Sequence, residues 1–186
     1  MNAKVNLTQW IFLSVSTINQ YNIAITEGLA LMDKIKKSKT YKNIMNYGQR
    51  AMQNFETALD IARKHGPKDK IDYIHQYLCV LNTYMGDAEK NEKNVLEAIK
   101  YYSEALKQND MTKANDPMYK RKAMINHTLM ALSVITEKLD YALSFANQTI
   151  EAASKVKDQP DFSFDYMMKV EPVIMKAGTS LDKEYL

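Results

Sequence analysis

Apolar side chains recur along this chain at helical spacing almost from end to end. Leu7, Ile11, Ser14, Ile18, Tyr21, Ile25, Gly28, Met32 and Ile35 step by alternating four and three. That is one face of a helix held for about four heptads, and it predicts a long N-terminal helix over 7–37. Asn6 or Thr8 can cap it, and Lys34, Lys36, Lys37 and Lys39 oppose the dipole at its C-terminal end. Gly28 interrupts it weakly, at a cost of ~1 kcal/mol against Ala.

The same periodicity predicts a second helix over 40–65, stopped by His65-Gly66-Pro67, and a third over 69–86 with Tyr73, Tyr77, Val80, Leu81 and Tyr84 on its apolar side. The charged stretch from Asp87 to Asn94 reads as a loop or a solvated first turn. Helices over 94–109, from Pro117 in a first turn to about Thr136, and over 140–156 follow. After the break at Lys157-Asp158-Gln159-Pro160-Asp161, a last helix over 163–178 ends at Gly178. No strand-like alternation of useful length intervenes. The prediction is an all-α protein of about seven helices joined mainly by short turns, which favours antiparallel neighbours.

Composition agrees. Of 186 residues, 46% are hydrophobic, while Gly (5) and Pro (4) are scarce. The length suits one domain, 1–186, with a continuous core or a short array. Twelve Tyr and twelve Met are expected to line a core or a groove. A lone cysteine, Cys79, excludes an internal disulfide and favours a cytoplasmic setting. Lys4 before the apolar run Trp10–Val15 faintly imitates a signal peptide but lacks a convincing cleavage site, and no stretch reaches the ~18–20 apolar residues that span a bilayer.

Within the helical pattern three segments repeat an internal spacing: Ala51-Phe55-Ala58, Ala98-Tyr102-Ala105 and Ala142-Ala146-Thr149, the last without its ring. Each follows another helix-like segment. On these residues, and on Leu96-Glu97-Ala98-Ile99-Lys100-Tyr101-Tyr102-Ser103-Glu104-Ala105-Leu106-Lys107 above all, the chain resembles the tetratricopeptide repeat (TPR) family over about residues 20–156. The equivalent alanines lie 47 and 44 residues apart, against a family period of ~34. Longer helices and the Asp87–Asn94 stretch absorb the excess.

The resemblance implies a TPR-like helix-turn-helix solenoid. The long helix 7–37 would precede helix-pair repeats over 40–156, and helix 163–178 would cap them. Small residues let helix backbones approach while a ring fills the groove beside them. It implies a noncatalytic interaction module, scaffold or chaperone-like adaptor that holds a peptide or helix in a concave groove. Carried over by position, the groove side chains are His75, Leu78, Cys79 and Asn82 in the middle repeat and Met124, His127, Thr128 and Ala131 in the third. Asn82 stands where clamp-type members hold a terminal carboxylate, but the accompanying basic residues are missing.

Other chemistry is thinly supplied. Asp72, His75 and Cys79 share a helical face, yet no second His/Cys pair completes a metal site, so no metal or cofactor is expected. There is no Gly-rich phosphate loop and no nucleophile signature, and Glu89 and Glu92 lie in a stretch expected to be wet, so an enzyme is not expected. Lys34–Lys42 and Lys120-Arg121-Lys122, beside Tyr41 and Tyr119, offer a nucleic-acid alternative. A net charge of +3 makes a protein or peptide the favoured partner. Trp10, Ile11, Leu13 and Val15 either pack on helix 40–65 or form a contact with a partner, in a homodimer or a larger assembly.

Overall fold

The structure is a computed structural model that describes the backbone of residues 7–65, 68–159 and 161–184 and the side chains of 15–64, 70–159 and 161–176. Among the described residues there are seven α-helices and no strand: α1 (Leu7–Lys37), α2 (Tyr41–His65), α3 (Lys68–Asn91), α4 (Val95–Asp110), α5 (Asp116–Ile135), α6 (Leu139–Ser154) and α7 (Asp161–Glu184). Each helix packs against the next in sequence, most extensively within the pairs α1–α2, α3–α4 and α5–α6, and α5 also touches α7.

The repeated small residues form the seams of these pairs. Ala51, Phe55 and Ala58 of α2, Ala98 and Ala105 of α4, and Ala142, Ala146 and Thr149 of α6 are wholly excluded from solvent, and Tyr102 nearly so. Two rings press on glycines of the preceding helix. A Cβ on Gly28 would stand 2.7 Å from the Phe55 ring, and one on Gly86 would stand 3.1 Å from the Tyr102 ring. In the third pair the bulk has changed sides. Forty-four residues beyond Gly86 stands Met130, and the same distance beyond Tyr102 stands Ala146; both are buried in one cluster with Ala142 and Val170.

That 44-residue offset extends well beyond the alanines. Lys93 and Glu137, among the described residues the non-Gly positions with positive φ (64° and 58°), occupy equivalent turns. In each turn the residue that follows closes a bond back over the helix end, Asn94 N–H to the Glu89 carbonyl and Lys138 N–H to the Ser133 carbonyl, both 2.9 Å. These are left-handed helix stops of the Schellman kind, which satisfy orphan carbonyls. Asp72, at the start of α3, accepts the backbone N–H of Lys113. Asp116, at the start of α5, likewise accepts those of Lys157 and Asp158 at 2.9 and 2.7 Å. An aspartate at the head of one first helix thus ties down the loop entering the next.

Two predicted helix ends are corrected. The third helix does not stop near Gly86 but runs to Asn91. Within this extension Ala88 and Glu89 are buried, and the Glu89 carboxylate accepts hydrogen bonds from Tyr41 Oη (2.9 Å) and Asn94 Nδ2 (2.8 Å). The charges that suggested a wet loop are partly tertiary fastenings. The last helix runs from Asp161 through Gly178 to Glu184. It also passes Pro172, which withholds the N–H that would reach the Met168 carbonyl. Between α4 and α5 the expected loop is present. Asn115 Oδ1 accepts the Met118 N–H at 2.9 Å, and Pro117 sits in the first turn.

Candidate functional site

Helix α3 has neighbours on more than one side, and its groove-lining positions fall into two separate strips. Val80, Thr83, Tyr84 and Asp87 form one. With Tyr102 beneath and Arg121, Met124, Ile125 and Thr128 opposite on α5, they bound a groove of about 380 Å³. His75, Leu78 and Asn82 belong to the other. They floor a second groove, of about 390 Å³, whose walls come from α2 (Met52, Glu56, Asp60, Arg63) and α4 (Glu104, Lys107, Gln108). On a helix, positions 75, 78 and 82 lie far around the axis from 80, 84 and 87.

The eight side chains expected to line a single groove are therefore distributed. Met124 and Thr128 line the α3/α5 groove, and Met124 is 55% exposed there. His75, Leu78 and Asn82 line the α2/α4 groove instead. Cys79 lies beneath the surface in the cluster formed with Ala98, Tyr102, Ile125 and Leu129. His127 turns towards α7, edge-on to the Tyr166 ring at 5.6 Å, and Ala131 is exposed without lining either groove. Of the N-terminal group, Val15 is 51% exposed; the side chains of Trp10, Ile11 and Leu13 lie outside the described residues.

The α3/α5 groove is mostly apolar in its walls and rigid at its floor. Tyr102 donates its phenol hydrogen to Asp87 Oδ1 at 2.6 Å, and Lys90 pairs with the same oxygen at 2.7 Å. Burial, then the Asp87 carboxylate, push the Tyr102 phenol far above its ordinary range, so it stays a neutral donor. At the other wall Arg121 donates from Nε to Asn109 Oδ1 at 2.9 Å, and buried Asn109 donates in turn to the Met118 carbonyl at 3.1 Å. Polar groups fix the edges of the groove, leaving Val80, Tyr84, Met124 and Ile125 to offer apolar contact. Sequence reasoning placed Val80 and Tyr84 on an apolar helix side without assigning them to a groove.

The α2/α4 groove is charged. His75 donates from Nδ1 to Gln108 Oε1 at 2.7 Å, and Gln108 Nε2 donates to Glu104 at 2.6 Å. Neither groove brings together a nucleophile and a base. Burial pushes the Cys79 thiol up to about 11, against the opposing influence of Arg121, so it is protonated at neutral pH. Asp72 is engaged by Lys113 N–H and by Gln76 Nε2. Among the described residues no group of three or more His, Cys, Asp or Glu side chains could hold a metal ion.

Several of the clustered lysines have partners within the chain. Lys120 pairs with Asp158 and Lys122 with Asp110, each at 2.8 Å, while Lys37 pairs with Asp33 and Lys34 lies 5.7 Å from the Tyr47 ring centre. Among the described residues no helix is long and apolar enough to cross a membrane. No family model matches the chain, and neither a curated protein nor a solved structure shows significant similarity to it.

Proposed function

We propose that this chain is a noncatalytic protein-binding module, a TPR-like array of helix pairs that holds an apolar peptide or helix face of a partner in the α3/α5 groove. The 44-residue recurrence of seam, turn and loop-tying residues supports a repeat architecture. The observation that carries the binding role is the groove itself. About 380 Å³ of concave space is bounded by Val80, Tyr84, Met124 and Ile125, over a tyrosine floor pinned by Asp87. Such a surface is formed before a ligand arrives, so little ordering cost falls on binding. Met124 presents a soft, adaptable side chain to the groove, which suits apolar side chains of varied shape. A scaffold or chaperone-like adaptor, working in the cytoplasm, is the setting in which such a groove serves.

A photo-crosslinking residue placed at Thr128 tests the role in an extract of the native source. A discrete partner band is expected, lost in the Met124→Glu background and retained when Leu96, exposed on α4 and lining neither groove, is changed to Glu. Unfolding curves of both variants should match the parent. A band indifferent to Met124→Glu, or no band above that of a crosslinker placed at Ser103, would overturn the proposal.

A further inference from the structure

Helix α1 carries more apolar surface than its fold consumes. Its inner face, with Tyr21, Ala24, Leu31, Met32 and Ile35, is buried in the core shared with α2 and α3. Beside it runs a second row, Val15, Ile18, Asn22, Ile25 and Leu29, stepping three, four, three and four. That spacing is the a/d seam of a coiled coil. Ile25 sits at the border, partly packed on the core, whereas Val15, Ile18 and Leu29 are 51%, 57% and 38% exposed.

We infer that two copies of this chain pair along this row, antiparallel and centred on Asn22. The near-palindromic spacing of the row about Asn22 selects a second copy as occupant, and the charge pattern fixes its direction. From Leu7 to Thr26 α1 has no charged side chain, while at its C-terminal end Lys34, Lys36 and Lys37 outnumber Glu27 and Asp33, the latter paired with Lys37. In an antiparallel pair, position 22 + n lies beside position 22 − n of the other copy, so each lysine-rich end runs along an uncharged one. A parallel pair would set the lysines of both copies side by side. The row is also nearly palindromic: Val15 and Leu29 both stand seven residues from Asn22 and meet across the pair, with Ile18 beside Ile25. Asn22 then faces its own counterpart, and its amide can both donate and accept. A lone polar residue at such a position fixes register and oligomeric state.

The exposed row on α7, with Phe164, Met167, Met168 and Met175, is a weaker claimant. Asp165, Lys169 and Glu171 are interspersed with it, and a head-to-tail contact between α7 and α1 of another copy would build a ring or an open chain rather than a closed pair. The inference is independent of the α3/α5 groove.

Sedimentation equilibrium across micromolar loadings tests it on the full chain. The expected mass is twice 21.4 kDa, falling to 21.4 kDa in Ile18→Glu with helicity unchanged. Cysteine substitutions read the geometry, with buried Cys79 outside the reaction. Under mild oxidation Asn22→Cys should crosslink to itself. Val15→Cys should crosslink only when mixed with Leu29→Cys, since two copies of position 15 would stand about 21 Å apart along the seam. A monomer at every loading, a mass that climbs past the dimer, a dimer that survives Ile18→Glu, or self-crosslinking of Val15→Cys would each overturn the pairing.

Discussion

Lys93 and Glu137 adopt the left-handed conformation where glycine is the usual occupant, because the α3–α4 and α5–α6 connections each need one residue there to close the helix end. A Cβ in that region carries strain that glycine lacks, partly offset by the greater freedom of glycine in the unfolded chain. Lys93→Gly and Glu137→Gly should each raise stability by about 0.5–1 kcal/mol, measured as a shift in the denaturant midpoint at constant slope. Loss of stability in either variant would show that the side chain contributes more than its backbone strain costs.

His127 gives a pH-sensitive point. Burial, reinforced by the Lys169 ammonium, lowers its pKa from the ordinary 6.5, so the folded state prefers the neutral ring. The unfolded chain therefore takes the proton first. The contribution of His127 is fully present above the unfolded value and is lost as pH falls through the folded one. The parent should lose stability as pH falls below the unfolded value of about 6.5, and His127→Phe should lose less. Equal pH slopes in chemical denaturation would show that the ring titrates alike in both states.

At the scale of helices, the chain's organisation lies in the pairs. The spacing of Ala51, Ala98 and Ala142 was legible in the sequence because tight seams tolerate few residue types. What was not legible is how each seam is filled, since Gly86 with Tyr102 and Met130 with Ala146 solve the same packing problem by opposite allocations. Met130→Ala would leave two small side chains facing each other there. It should cost about 2–5 kcal/mol, the range for emptying a core position, whereas Met124→Ala, on an exposed site, should cost far less. The extension of α3 to Asn91 escaped the sequence for a similar reason. Local charge announces exposure, while Tyr41, which meets Glu89, is 48 residues away.

For the whole molecule, helix count and order followed from periodicity, since long amphipathic segments with Gly, Pro and Asn at their ends leave few alternatives. The candidate site followed only in part. Met124 and Thr128 line the α3/α5 groove. The residues of α3 that face them are Val80, Tyr84 and Asp87, which differ from those marked by the family pattern. A helix packed on more than one side can line a groove on each of two sides, and position along the chain does not say which strip faces which neighbour. His75, Leu78 and Asn82 open on the charged α2/α4 side instead. A buried polar group also went unforeseen: the Asn126 amide makes no hydrogen bond within the described residues, whereas Asn82, at the equivalent place in the preceding pair, donates to the Leu78 carbonyl at 2.8 Å.

The exchange of bulk across the seams limits how such a molecule can be rearranged. Grafting α6 onto α3 would set Gly86 against Ala146 and leave a hole; grafting α4 onto α5 would drive Met130 into Tyr102. Helices of this chain are therefore heritable and transplantable only two at a time, and an array lengthened by duplication must copy a whole hairpin or none of it.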